Sequence, residues 1–177
     1  MTKPLFIARR AWLGATLAAA LLATACTTAP PAAPPVPILF VHGNGDSAAL
    51  WTTMQWRFES NGWPRDRLHA LDMPLPAARD DDTVAQPGRS SIDEFARHLG
   101  REVDVLLART GARQVALVGN SRGGNAIRHY VQNLGGAAKV SRAVLGGTPN
   151  HGVWASPTFR PTNEFNGAGP FLTRLNN

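Results

Sequence analysis

The stretch VALVGNSRGGNAIRHY, residues 115–130, decides the fold. Its short apolar run predicts a buried strand, and a helix-like segment begins at Gly124. Ser121 lies between the two and is flanked by Gly119 and Gly123. Small residues on both sides of a serine allow a strand and a helix to meet closely at a sharp turn. We therefore predict a strand, a strained turn with Ser121 at its apex, and a helix.

Ser121 has two interpretations at this point. A serine hydroxyl is a poor nucleophile at neutral pH, so it needs exposure, a neighbouring base and donors for the oxyanion. The strand-turn-helix context supplies only the exposure. The alternative is a polar residue that caps the following helix.

A second glycine-rich turn supports the nucleophile interpretation. The apolar run Ile38 to Val41 is followed by His42-Gly43-Asn44-Gly45-Asp46-Ser47. In a sheet of this kind the oxyanion is held by the N–H of the residue after the nucleophile and by an N–H from a loop after an earlier strand. These donors are the backbone N–H groups of Arg122 and Asn44. We expect His42 to brace the loop.

Three segments, VHGNGDSAALW at 41–51, LVGNSRGGNAIRHYVQNLGG at 117–136 and GGTPNHG at 146–152, resemble the bacterial class 2 lipases of the α/β-hydrolase superfamily. These are small secreted lipases, and the segments are also similar to related esterases and polyhydroxyalkanoate depolymerases. The resemblance covers about residues 37–152. It departs at Asn120 and Arg122, where those enzymes commonly have His and Met.

The resemblance implies an α/β fold, with a parallel sheet flanked by helices. It also implies cleavage of carboxylic esters, lipids among them, through an acyl-enzyme on Ser121 without metal or cofactor. The Arg122 guanidinium beside the acyl site would favour a polar or anionic substrate. A polyester substrate stays open as an alternative to a lipid.

The other two members of a catalytic triad are not found. In this superfamily the acid follows the serine and the histidine follows the acid. Glu164 is the sole acid after Ser121, and no histidine follows it. His151 and His129 are poor candidates for the base, because one directly follows a strand and the other lies on a helix body. We expect a C-terminally truncated sequence that lacks the last strands and efficient turnover.

A non-catalytic binding protein on a hydrolase scaffold is the second functional hypothesis. It would be anchored through Cys26 and would have no need of the triad. The reading frame beyond the codon for Asn177 discriminates the two hypotheses.

The remaining pattern alternates strand and helix, which predicts a parallel sheet. Asp80, Asp81 and Asp82 lie in a polar loop, which is interpreted as solvated rather than as a cation site. Further predicted strands cover residues 68–72, 114–118 and 140–145. Three helices are predicted. The first contains Leu50, Met54 and Phe58 and is capped by Asp46 or Ser47. The second runs from Ile92 past Leu106, is capped by Ser90 or Ser91 and ends at Gly111, and the third covers residues 124–134. A Pro/Gly/Asn-rich tail follows Leu145.

Residues 1–25 are interpreted as a secretory signal. Lys3, Arg9 and Arg10 precede an apolar run from Ala11 to Ala25, which is short for a membrane span. We therefore expect export. A Pro/Ala-rich linker follows at 26–36, and the folded domain covers 37–177.

Two motifs refine the export prediction. Arg9-Arg10-Ala11-Trp12-Leu13 resembles a twin-arginine signal. Leu22-Ala23-Thr24-Ala25-Cys26 resembles a lipobox, in which Cys26 would be lipidated and would anchor the protein to a membrane. The alternative is ordinary cleavage after Ala25 that leaves Cys26 unmodified.

Composition excludes several classes of protein. Of 177 residues, 44% are hydrophobic and 17% charged, which indicates a globular domain. The net charge is +6, but without the three basic residues of the signal 15 basic and 12 acidic residues remain. These charges are scattered, so no nucleic-acid partner is expected. Cys26 is the single cysteine, and the fold therefore contains no disulfide.

Overall fold

The computed structural model describes residues 33–155 and 158–177, and residues 35–177 form one compact unit. The predicted signal peptide, Cys26 and most of the linker lie outside the described residues. Within the described ranges no helix is both long and apolar enough to cross a bilayer.

A four-stranded parallel sheet forms the centre of the unit, which confirms the predicted fold class. Its strands are β1 (Ile38–Val41), β2 (Leu68–Ala70), β5 (Val115–Asn120) and β6 (Val140–Gly146), in the order β2-β1-β5-β6. The chain also forms a small two-stranded parallel sheet of β3 (Ala77–Ala78) and β4 (Arg89–Ser90). In the main sheet, Phe40 lies opposite Ala70 on one side and Val118 on the other.

Helices pack on both faces of the sheet. They are α1 (Thr52–Ser60), α2 (Ile92–Thr110), α3 (Arg122–Asn133) and α4 (Pro170–Asn176), with 3-10 turns at Ala48–Trp51, Arg65–Arg67 and Gly136–Ala138. Leu39 and Val41 point toward α2, α3 and α4, whereas Ile38 and Phe40 point toward Trp51 and the α1 side. Because β1 is buried on both faces, it reads as a continuous apolar run.

The start of α2 has the predicted cap. Glu94 N–H donates to Ser91 Oγ at 3.1 Å, and Ser91 N–H donates to Glu94 Oε2 at 2.9 Å, which is a capping box. Asp82 accepts the N–H of Ile92 at 3.1 Å. Gly111 ends the helix with φ 65°, a left-handed conformation that glycine adopts at little cost.

The start of α1 differs from the prediction. Neither Ser47 nor Asp46 caps it with a side chain, and Asp72 Oδ1 instead accepts the Ala48 N–H at 3.3 Å. The segment begins as the 3-10 turn Ala48–Trp51, so Leu50 lies outside the α-helix that starts at Thr52. Leu50 and Met54 are exposed.

The tail after Leu145 also differs from the prediction, because it ends in α4. This helix of seven residues places Phe171, Leu172 and Leu175 in the main core. A helix of two turns is too short to show a clear apolar period, so the sequence pattern did not reveal it.

Strand β6 is the edge strand of the described sheet, and its residues from Ser141 to Gly146 are exposed. Val144 and Leu145 are 61% and 36% exposed. Its neighbour β5 is buried or half-buried throughout. The sheet is therefore covered by helices over β1 and β5 but open at β6.

Candidate active site

Ser121 lies at the turn between β5 and α3 with φ 50° and ψ −120°. In the described part of the chain it is the one residue other than glycine with a positive φ. A non-glycine residue in such a conformation is strained, and this strain is typical of functional turns. Its N–H donates to Gly146 O at 2.9 Å, which ties the turn to β6.

The Ser121 side chain does not cap α3. The residue occupies the N-cap position, yet its hydroxyl makes no capping hydrogen bond. A helix cap would have used Oγ to accept an N–H from the first turn. The strained turn therefore has no capping function that would explain the serine.

Close backbone approach is strongest at Gly123. A Cβ there would lie 2.5 Å from His42 O and 2.6 Å from Val41 O, which is too short for any larger residue. A Cβ on Gly119 would lie 3.0 Å from Gly124 N and would also displace Ile127 Cδ1, so the neighbours of that position would have to move. The spacing of the two glycines therefore fits the tight strand-to-helix turn that the sequence predicted.

The glycine-rich loop after β1 lies against the turn. A Cβ on Gly43 would lie 3.1 Å from Ser121 Cβ. Asn44 follows at once, and its N–H makes no hydrogen bond to another described residue. Arg122 is the first residue of α3, so its N–H has no partner within that helix. The structure thus brings together the loop and the turn that carry the two expected oxyanion donors.

His42 is buried and braces the loop, as expected. Its Nε2 accepts the N–H of Met73 at 3.2 Å. The proton is therefore on Nδ1, which donates to Gly43 O at 2.8 Å. With both nitrogens used in this way, His42 serves the loop and not the serine.

The Arg122 side chain lies elsewhere than expected. It is fully buried, and its five N–H donors are all used. Nε and Nη2 donate to the two Glu164 oxygens, each at 2.8 Å, while Pro76 O, Ser90 Oγ and Ser90 O accept the rest at 2.9, 3.1 and 2.7 Å. The expectation of a guanidinium beside the acyl site, favouring an anionic substrate, is wrong because the group is bound inside the protein.

Glu164, the sole acid after Ser121, is the partner of this guanidinium. Neither side chain of the pair is exposed. Burial raises the pKa of Glu164 to about 7, and the charge and hydrogen bonds of Arg122 oppose that shift. Because both carboxylate oxygens bind Arg122, Glu164 does not orient a histidine.

The histidines after the turn are also bound to other residues. His129 lies 3.3 Å from Asp93 Oδ1 through Nε2, and Asn133 lies 3.1 Å from its Nδ1. His151 is exposed, and its Nδ1 lies 3.3 Å from Asn176 Nδ2. No hydrogen bond joins Ser121 Oγ to a histidine within the ranges that the structure describes.

A cleft of about 320 Å³ begins at Asn44. The residues lining its walls include two phenylalanines, Phe159 and Phe165, three arginines, Arg79, Arg89 and Arg160, and one acid, Asp80. Its surface is thus partly apolar and partly charged, with more basic than acidic groups. Sequence reasoning missed this cleft, because half of its wall comes from the tail that carried no element prediction.

A family model described as "alpha/beta hydrolase fold" matches residues 36–169 of this chain. Among solved structures, the mature Bacillus licheniformis lipase BlEst2 is 24% identical with a TM-score of 0.55, over 73% of this chain and 48% of that one. Legionella pneumophila phospholipase PlaB in complex with thio-NAD is 17% identical with a TM-score of 0.58, and the match covers 80% of this chain and 33% of that one. This chain therefore spans about half or less of the length of these proteins.

Proposed function

Since the chain belongs to the α/β-hydrolase fold family, we propose that it is a serine hydrolase that cleaves carboxylic esters through an acyl-enzyme on Ser121. The observation that carries this proposal is the conformation of Ser121, with Gly119 before it and with Gly123 after it at a position where a Cβ would meet the backbone. A strained serine that directly follows a parallel strand presents its hydroxyl beyond the carboxyl ends of the strands.

In the proposed reaction Ser121 Oγ attacks the ester carbonyl and loses its proton to a base. The N–H groups of Asn44 and Arg122 hold the oxyanion of the tetrahedral intermediate. Collapse of the intermediate releases the alcohol, and water then hydrolyses the acyl-enzyme. The described residues supply the nucleophile and the donors, and an oxyanion hole with substrate binding retains about 10³–10⁴-fold acceleration without a triad.

We propose lipid esters as the substrate class. The cleft beside Asn44 combines Phe159 and Phe165 with the guanidinium groups of Arg89 and Arg160, which suits an amphipathic ester. The names lipase and phospholipase among the similar structures are consistent with such a substrate. A polyester of hydroxyalkanoates is the alternative, and release of fatty acid against hydroxy acid distinguishes the two.

Labelling by a fluorophosphonate probe tests the nucleophile. The full chain is expected to form a covalent adduct on Ser121, slowly, because no described base activates the hydroxyl. Ser121→Ala should abolish the adduct, whereas Ser60→Ala, at an exposed serine of α1, should leave it unchanged. An adduct that persists in Ser121→Ala, or no adduct in a folded protein, contradicts the assignment.

A binding protein without turnover is the second candidate. It is favoured by one observation, the commitment of Glu164 to Arg122 and of His129 to Asp93. The genomic reading frame past the codon for Asn177 separates the candidates. An acid followed by a histidine there supports the enzyme, and a stop codon favours binding alone.

We also propose export through residues 1–25 with lipidation of Cys26, on the sequence motifs alone. Mass spectrometry of the mature N-terminus tests both. A diacylglyceryl group on Cys26 supports a membrane anchor, and an unmodified N-terminus at Cys26 supports export without one.

A further inference from the structure

One carbonyl oxygen, that of Pro76, joins the two halves of the site. It accepts the N–H of Gly45 at 3.1 Å and the Arg122 Nη1 at 2.9 Å. Gly45 belongs to the loop after β1, and Arg122 belongs to the turn after β5. The side chain of one oxyanion residue thereby reaches the loop that carries the other.

We propose that the buried Arg122–Glu164 ion pair is a positioning device that sets the separation between the N–H groups of Asn44 and Arg122. The inference rests on the proposed nucleophile Ser121, because an oxyanion hole has meaning only beside it. Arg122 then contributes twice, with its backbone as a donor and with its side chain as the brace that holds the second donor.

The segment of Pro76 to Ala78 holds the loop at Asn44 and Gly45. Pro76 O accepts the N–H of Gly45, and the N–H of Ala78 donates to Asn44 Oδ1 at 2.6 Å. These two bonds fix the side chain of Asn44 and the backbone N–H that follows the proposed donor. A shift of the segment would therefore shift the Asn44 N–H.

Ser90 holds Leu75, the residue before this segment, to the guanidinium. Its hydroxyl donates to Leu75 O at 2.7 Å and accepts from Arg122 Nη1 at 3.1 Å, and its carbonyl accepts from Nη2 at 2.7 Å. The Arg122 guanidinium also lies 5.0 Å from the centre of the Phe95 ring. The segment is thus fixed from two directions to one planar group.

Glu164 is needed because a buried guanidinium without a carboxylate is strongly unfavourable. Without that partner, the cation would move toward water and release Pro76. A lysine at position 122 would keep the charge but offer three donors without the planar arrangement of arginine. Lysine would therefore retain the pairing with Glu164 while losing simultaneous contacts to Pro76 and Ser90.

The expected effect falls on the chemical step. Oxyanion donors act only when they lie about 2.7–3.1 Å from the developing charge. Neither Glu164 nor Arg122 lines the cleft itself, although Asn44, which the pair is proposed to position, does. A displaced donor should therefore lower the rate constant of labelling much more than it changes the probe's dissociation constant.

The first measurement is the labelling rate of Ser121 against fluorophosphonate concentration in the full chain, at about pH 9, where the Glu164 carboxyl with its pKa of about 7 is ionised. In Glu164→Gln and Arg122→Lys we expect the maximal rate constant to fall about a hundredfold and the half-saturating concentration to change by much less. Glu59→Gln, which removes the same carboxylate from the exposed pair with Arg65, should label as the wild type does. Folded Glu164→Gln and Arg122→Lys proteins that label at the wild-type rate overturn the proposal.

The second measurement does not depend on the nucleophile. Hydrogen exchange of the Gly45 amide should become about tenfold faster in both variants, as expected for loss of one net hydrogen bond. The Val115 amide, which donates to Lys139 O away from the site, should be unchanged. If no protein labels, the proposed function fails, and Gly45 exchange alone then decides whether the brace exists.

The wild type provides a test that no unfolded variant can obscure. If the brace is one unit, the Gly45 amide and the Arg122 Nε–H should exchange through a single opening, with the same dependence on denaturant. Exchange of the two protons through separate openings overturns the proposal.

Discussion

The Arg122 guanidinium and the Glu164 carboxylate form a two-point ion pair inside the protein, 42 residues apart in sequence, with both N–O distances at 2.8 Å. Burial opposes the Glu164 charge and Arg122 favours it, so the two groups are both charged above about pH 7. The pair connects the turn that carries Ser121 to the segment after Gly152.

Removal of Glu164 should strongly destabilise the fold. We expect Glu164→Ala to lower the free energy of unfolding by about 3–5 kcal/mol, because it leaves a buried cation without its partner. Glu59→Ala removes the carboxylate from the pair with Arg65, whose side chain is largely exposed, and should cost about 1 kcal/mol or less. Urea denaturation measures both. Equal losses in the two variants would contradict a special role for the buried pair.

Stability should depend on pH through Glu164. Its pKa in the folded protein is about 7, above the ordinary value of 4.5. Between these values the folded state binds the proton more tightly, so this stabilising contribution is complete below about 4.5 and is lost as pH rises through 7.

Comparison with Glu164→Gln isolates that contribution, because glutamine does not titrate. The unfolding free energy of the wild type minus that of the variant should fall between pH 5 and pH 8, by about 3 kcal/mol at most. A difference that stays constant, or rises with pH, would show that burial does not raise the pKa of Glu164.

The strain at Ser121 should be measurable as stability. Alanine at this position keeps a Cβ at φ 50°, whereas glycine adopts a positive φ without strain. We expect Ser121→Gly to be more stable than Ser121→Ala by about 1 kcal/mol, since relief of strain outweighs the greater flexibility of the unfolded chain. Thermal and urea denaturation of the two variants measure the difference. A more stable alanine variant would contradict the strained turn.

A methyl group on Gly123 should disrupt the turn. It would meet the backbone oxygen of His42 at 2.5 Å, so Gly123→Ala should cost about 2–3 kcal/mol and slow the labelling of Ser121. Gly146→Ala is the matched control, because the nearest atom to its added Cβ is Gly119 O at 3.7 Å. Denaturation and labelling are compared in both variants, and equal behaviour would argue against close approach at Gly123.

The capping box of α2 provides an internal check of the fold. Ser91→Ala removes the acceptor for the Glu94 N–H and should cost about 1 kcal/mol. Ser47→Ala, at an N-cap position where the hydroxyl makes no capping bond, should cost much less. Urea denaturation compares the two, and a larger loss for Ser47→Ala would contradict the observed caps.

The sequence predicted the elements whose signals are local. The buried strands β1 and β5 read as apolar runs, α2 has a regular apolar period, and Ser91 with Gly111 marks its ends. The turn at Ser121 was recognisable because two glycines flank a serine between a strand and a helix. Each of these signals lies within a few residues of the feature that it predicts.

Long-range pairings were not predictable in the same way. Nothing near Arg122 in sequence shows that its side chain turns inward to meet Glu164, and the loop after β1 does not reveal that Asp72 caps the following turn. An arginine where the resembling enzymes have an apolar residue, with a solitary glutamate in a tail that contains no other acid, was the available signal. Two unusual charges of opposite sign in a sequence are therefore candidates for a buried ion pair.

Strand β6 has a consequence for handling the protein. Its outer edge offers backbone N–H and C=O groups, and Val144 and Leu145 are exposed beside them, which makes the strand a template for the addition of further strands. A sample produced as residues 1–177 should therefore associate edge to edge as concentration rises, before the core unfolds. A lysine at position 144 would discourage this self-association, so colloidal behaviour and folding stability can be adjusted separately.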